Sequence, residues 1–147
     1  MIENKYYDQL VDQVRLSYAH SIKMHISQCK NYQSVKEGIK DENLKKDFHK
    51  VDRFYFNESG KLNWETIRKL MPLGIEKKIK KEYDMLNENE IRLCCLLFFN
   101  VPGVLITEIL PYTKRSIHSI TYRIKKKAGI SNIKESLKNL LFTPPND

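Results

Sequence analysis

The stretch Thr113-Lys114-Arg115-Ser116-Ile117-His118-Ser119-Ile120-Thr121-Tyr122-Arg123-Ile124-Lys125-Lys126-Lys127 decides how this chain is read. Ile117, Ile120 or Thr121, and Ile124 recur at three- and four-residue spacing, the period of a helix with one inward face. Thr113 stands in front of that run as the N-cap. Gly129 terminates the helix, with Ile130 packing back. Lys114, Arg115, Ser116, His118, Ser119, Tyr122 and Arg123 supply hydrogen-bond donors without one carboxylate, and no acidic residue occurs from Ile109 to Lys134. An apolar inner face and a cationic, donor-rich outer face are what a helix meeting a polyanion needs.

Immediately upstream, apolar residues predict a short helix over Val104–Leu110, ended by Pro111. A short helix, a three-residue turn and a longer basic helix make the helix-turn-helix layout. Further upstream, Asn87 is the N-cap of another helix, and Glu90 three residues on completes a capping box. Leu86 and Ile91 flank it as a hydrophobic staple. Leu93, Cys94, Leu96, Leu97 and Phe98 make that helix apolar almost all round, which predicts burial. Asn100 is a residue at ease in a left-handed C-terminal position, and Pro102-Gly103 reinforces the stop. Downstream, a last helix is expected over Ile133–Leu141, burying Ile133, Leu137, Leu140 and Leu141, and residues 143–147 read as a frayed tail.

Together these elements resemble the LuxR-type helix-turn-helix domain of bacterial transcription regulators. The pattern of that family opens with Leu-Thr-x-x-Glu, continues with Ile-Ala-x-x-Leu and Ser-x-x-Thr-Val, and ends in Lys-Lys-Leu-Gly. The corresponding stretches here are Leu86-Asn87-Glu88-Asn89-Glu90, Ile106-Thr107-Glu108-Ile109-Leu110, Thr113-Lys114-Arg115-Ser116-Ile117 and Lys126-Lys127-Ala128-Gly129. Trp64 and the spaced Ile67, Leu70, Ile75, Ile79 and Tyr83 resemble the lead-in carried by one subgroup. The resemblance implies base contacts from His118, Ser119 and Tyr122. It implies phosphate contacts from Thr113, Ser116, Arg123, Lys126 and Lys127, with double-stranded DNA as the partner. The chain departs from the family at Thr107, where a small Ala is usual, and at Asn100, where Gly is usual. It also departs at Pro102-Gly103-Val104-Leu105, which replaces the usual polar opening of the second helix and leaves Val104 and Leu105 as a candidate patch for a protein partner.

The N-terminal region is expected to be helical too. Tyr6, Leu10, Val14, Tyr18, Ile22 and Ile26 recur every four residues, with Tyr7, Val11, Ala19 and Cys29 widening the stripe over one long helix. That stripe predicts packing on another helix, of this chain or of a second copy, and a homodimer is expected because two copies double the contacts with DNA. A second helix is expected at about Val35–Phe56, a short one after the N-cap Asn63, and another over Leu73–Tyr83 whose lysines form a solvated face. The fold class expected is all-α. Residues 1–60 form the N-terminal region, 61–85 the lead-in, 86–142 the helix-turn-helix domain and 143–147 the tail.

Composition limits the alternatives. The 147 residues carry 26 Lys and Arg against 18 Asp and Glu, a formal net charge of +8, which suits a polyanionic partner. Three cysteines make no disulfide framework and are expected as buried thiols. Charges interrupt the opening residues and no apolar run has transmembrane length, so a cytoplasmic protein without a membrane partner is expected. No glycine-rich phosphate loop and no His-Glu-x-x-His motif occurs, and His20 and His25 are badly spaced to share a ligand on one helix face. No enzyme activity, metal or cofactor is therefore expected. A helix-turn-helix module that binds protein, using Val104, Leu105 and the aromatic cluster Phe48, Phe54, Tyr55 and Phe56, is the alternative to a DNA reader.

Overall fold

The computed structural model describes residues 2–142, so the tail expected over residues 143–147 lies outside the described residues. Among the described residues the protein is all-helical, with nine helices and no strand. One isolated antiparallel bridge, Phe56 with Leu62, closes the turn around Asn57 and Gly60.

Helix α1, Ile2–Glu37, is 36 residues long, about 54 Å at 1.5 Å per residue. It takes in Val35, which the sequence pattern assigned to the start of the following helix. The single helix expected over Val35–Phe56 is instead two short ones, α2 (Glu42–Lys46) and α3 (His49–Tyr55). Two local causes account for the breaks. Asp41 caps α2 by accepting from the Asn43 and Leu44 amides, which commits the backbone ahead of it to an extended conformation. Phe48 then enters α3 at φ −88°, ψ 1°, outside helical geometry. The apolar spacing of Leu44, Phe48, Val51 and Tyr55 persists across both breaks, so periodicity carried no trace of them.

The lead-in comprises α4 (Trp64–Arg68), capped by Asn63 as expected, and α5 (Ile75–Glu82). Gly74 at φ 77° starts α5, and Leu73 before it is 99% exposed rather than helical. Lys80 of α5 donates to the carbonyls of Asp84 and Leu86, tying the end of α5 to the entry of the next helix.

Helix α6, Glu88–Phe98, has the expected capping box: Asn87 accepts from the Glu90 amide, and Glu90 accepts from the Asn87 amide. Leu93, Cys94, Cys95, Leu96 and Phe98 are all buried, making α6 the central helix. Asn100 takes the left-handed conformation, φ 56°. The short helix that follows, α7, spans Gly103–Ile106, and the chain continues to Leu110 in turns closed by the Ile109 and Leu110 amides on the Ile106 carbonyl. It is shorter than the Val104–Leu110 expected. Helix α8 spans Lys114–Ala128 and α9 spans Ile133–Leu141.

One continuous core joins these elements. Ala19, Ile22, Ile26 and Cys29 of α1 pack in the same cluster as Ile67, Ile79, Phe98, Phe99, Ile124 and Leu137. Tyr18 meets Phe99 at 5.6 Å between ring centroids, and the Arg15 guanidinium lies 5.5 Å from the Phe98 ring. Polar ties fasten α1 along its length: Asp8 to Lys138 of α9, Lys30 to Glu108 beyond α7, and Lys36 to Asp52 of α3. The apolar stripe expected to serve a partner is thus divided. Val11, Ala19, Ile22, Ile26 and Cys29 are buried within the chain, while Tyr6, Leu10 and Val14 remain exposed.

Candidate nucleic-acid interface

The basic stretch forms α8, held by its own inward residues. Ile117 and Ile124 are buried and Ile120 is half-buried against the core. Burying such a side chain contributes roughly 1.5–3 kcal/mol, so these isoleucines fix which side of the helix faces outward. Helix α7 lies close to its N-terminal half: a Cβ placed on Gly103 would sit 3.9 Å from Ile117 Cδ1 and 4.0 Å from Lys114 Cγ.

At about 100° per residue, Arg115, Ser119, Tyr122 and Lys126 lie opposite Ile117 and Ile124, with His118 and Arg123 flanking them. All six are exposed. Tyr122 is at the centre of this face, 61% exposed, and the Lys126 ammonium lies 5.0 Å from its ring centroid. That cation–π contact keeps an aromatic surface and a charge side by side. Lys114 is exposed at the edge nearest α7.

The hydroxyls at the helix start have local duties. Thr113 Oγ1 accepts from the Ser116 amide at 3.1 Å, and Ser116 Oγ accepts from the Thr113 amide at 3.0 Å while donating to the Thr113 carbonyl. Ser119 Oγ donates to the Ser116 carbonyl. Such bonds leave hydroxyl lone pairs for a further partner. Gly129, φ 68°, and the Ile130 amide on the Lys125 carbonyl end the helix, so Lys125 and Lys126 fall in its last turn.

Lys127 stands apart from the face. Its ammonium donates to both oxygens of Glu90, at 2.9 and 3.1 Å. Of the residues singled out in the sequence, the structure gathers Arg115, His118, Ser119, Tyr122, Arg123 and Lys126 on one outward surface and pairs Lys127, itself exposed, with the buried Glu90. The role of Glu90 across 37 positions was not legible. Its capping pattern was, but a cap residue is ordinarily solvated, and nothing local announced that this one is 3% exposed.

The half-buried Tyr112, just before the helix, has its phenol pKa raised, by burial first and by Glu90, against the opposing pull of Arg123. It stays neutral at physiological pH. Among the described residues no group of three His, Cys, Asp or Glu side chains is placed to hold a metal ion, and no helix is long and apolar enough to cross a membrane. Comparison with known protein families, with curated proteins and with solved structures found no match.

Proposed function

We propose that this chain is a sequence-specific transcription regulator that binds double-stranded DNA and reads the major groove with α8. One observation carries the reading: a capped 15-residue helix whose outward side presents Arg115, His118, Ser119, Tyr122, Arg123 and Lys126, without a carboxylate, opposite buried isoleucines. An α-helix fits the major groove. Arginine and lysine supply the charge that phosphates attract, and His118, Ser119 and Tyr122 supply uncharged donors suited to base edges. The chain works in the bacterial cytoplasm, on the nucleoid when bound. Two copies on paired half-sites double the recognition surface that one small domain can offer. No catalytic step is assigned to it.

The test is salt-titrated fluorescence anisotropy on pooled genomic DNA fragments. Binding should weaken steeply as salt rises, because each neutralised phosphate releases counterions. Arg123→Ala with Lys126→Ala should weaken it further and lower the salt slope by about 1 for each phosphate that is no longer neutralised. Sequencing the retained fragments then identifies the site. Absence of binding at low salt overturns the reading.

A second reading has one observation in its favour. Val104, at the entry to α7, is 55% exposed on an element that a DNA reader usually keeps polar at that point. A protein-binding module would use it, and such a complex would show only weak salt dependence.

A further inference from the structure

The outer side of α1 has a composition unlike the rest of the surface. Helical spacing places Leu10, Val14, Ser17, Ser21, Met24 and Gln28 in one line, alternately four and three residues apart, and the line continues through Asn31 to Val35. Every one of them is exposed. Lys5, Asp8, Asp12, Arg15, Lys23 and Lys30 of the same helix lie on the other half of its circumference, toward the core and its margins. From Tyr6 to Val35 the outward half of α1 therefore holds no Lys, Arg, Asp or Glu, in a chain of which 30% is charged. A solvated helix face normally carries those charges. Their depletion around exposed apolar residues is the mark of an interface core.

We propose that two copies of this chain associate through the outer face of α1, helix against helix. Charge selects the occupant. Each copy bears a net charge of +8, so most approaches of one copy to another bring like charges together. Along this face none meet, and at physiological salt charges more than about 8 Å away are largely screened. A twofold contact sets a patch against itself, and a face without charge opposes no like charges there. The alternating spacing is that of a helix–helix seam, and Ser17 and Ser21 at its middle let the two backbones come close.

The extent is sufficient. Residues 6–35 span about 45 Å at 1.5 Å per residue, and two helices paired over that length bury on the order of 1,000 Å², the lower bound for a specific interface. An interface of that size suits an association in the micromolar range rather than a permanent dimer. As the two-copy state of a DNA reader this inference rests on the function proposed above; its geometry does not.

The experiment is sedimentation velocity of the full chain at tens of micromolar, run beside DNA anisotropy. Wild type should sediment as twice the 17.5 kDa chain. Leu10→Glu with Met24→Glu places exposed carboxylates on the face without touching the core, and should raise the dimer dissociation constant more than about tenfold. Gln33→Glu, exposed on the same helix but off the face, should leave it unchanged. Unaltered circular dichroism shows that the variants fold. A monomeric wild type, or a dimer indifferent to the paired substitution, overturns the proposal. Dimerisation without DNA binding leaves the interface standing and removes the regulator; DNA binding by a monomeric wild type does the reverse.

Discussion

Lys127 reaches from the last turn of α8 to Glu90 in the first turn of α6, donating to both carboxylate oxygens at 2.9 and 3.1 Å. Glu90 also accepts from the Asn87 amide, so one buried carboxylate caps α6 and clamps the C-terminal end of α8. The paired residues stand 37 positions apart in the chain, and the pair ties their two helices together.

Replacing Lys127 by Met separates the two roles a lysine could have here. Glu90 would keep its bond from Asn87 but lose its charged partner, and a buried group left short of a partner costs about 1–3 kcal/mol. Urea unfolding should show that loss. DNA affinity at low temperature should keep its salt slope, whereas Arg123→Ala lowers the slope by about 1 with little change in stability. A reduced slope at Lys127 as well would assign that ammonium to phosphate.

The tie between α1 and α3 should be acid-sensitive. Burial would raise the Asp52 carboxyl pKa, but hydrogen bonds from Lys36 and Tyr32 and the charges of Lys36 and His49 hold it below the usual value. A depressed carboxylate stabilises the fold above its unfolded pKa, about 3.9, and that contribution disappears as pH falls through the lower folded value. Asp52→Asn should therefore be less stable than wild type at neutral pH, and the gap should close below about pH 4. An equal gap at both pH values would place the stabilisation elsewhere.

Thiol chemistry should be silent in the folded protein. Burial pushes the Cys29 thiol up to about 11 and the Cys94 thiol up to about 12, Glu90 adding to the latter, and Cys95 is raised as well. Since the thiolate is the reactive form, an aromatic disulfide reagent at mildly alkaline pH should label none of the three before unfolding and all of them after. Rapid labelling of native protein would mean local opening, of α1 if Cys29 reacts and of α6 if Cys94 or Cys95 does.

Two helix ends depend on the left-handed region in different ways. At Gly129, φ 68°, a Cβ would meet nothing within 4 Å, so Gly129→Ala isolates backbone strain. It should cost about 1–2 kcal/mol, seen as a shifted urea midpoint. Asn100, φ 56°, already tolerates its conformation. Asn100→Gly should change stability by less than about 0.5 kcal/mol, relief of strain being offset by the freer unfolded chain.

Local chemistry was legible where a few adjacent residues settle it. Asn63, Asn87 and Thr113 cap the helices they precede, Asn100 and Gly129 turn left-handed where a helix must stop, and Ile117 and Ile124 face inward. The break inside residues 35–56 did not show in the apolar spacing, which continues across it; the one local sign was Asp41, whose cap reaches only the next three residues. The α8 face was legible as a pattern of donors. The removal of Lys127 from it was not, since an ion pair across 37 residues leaves no local signature.

Helix periods, caps and stops follow from interactions within one or two turns, and those this amino-acid order contains in full. It settled an all-α protein with a basic, carboxylate-free helix between Thr113 and Gly129. Which of two equivalent-looking stripes on a long helix is buried depends on the surfaces that meet it. In α1 the stripe through Val11, Ile22, Ile26 and Cys29 is the buried one, and Ile22, Ile26 and Cys29 found Phe98, Phe99 and the rest of the core. Tyr6, Leu10 and Val14, spaced just as regularly, were left outside. Periodicity measures how a helix can pack, and only the packed neighbours choose the side.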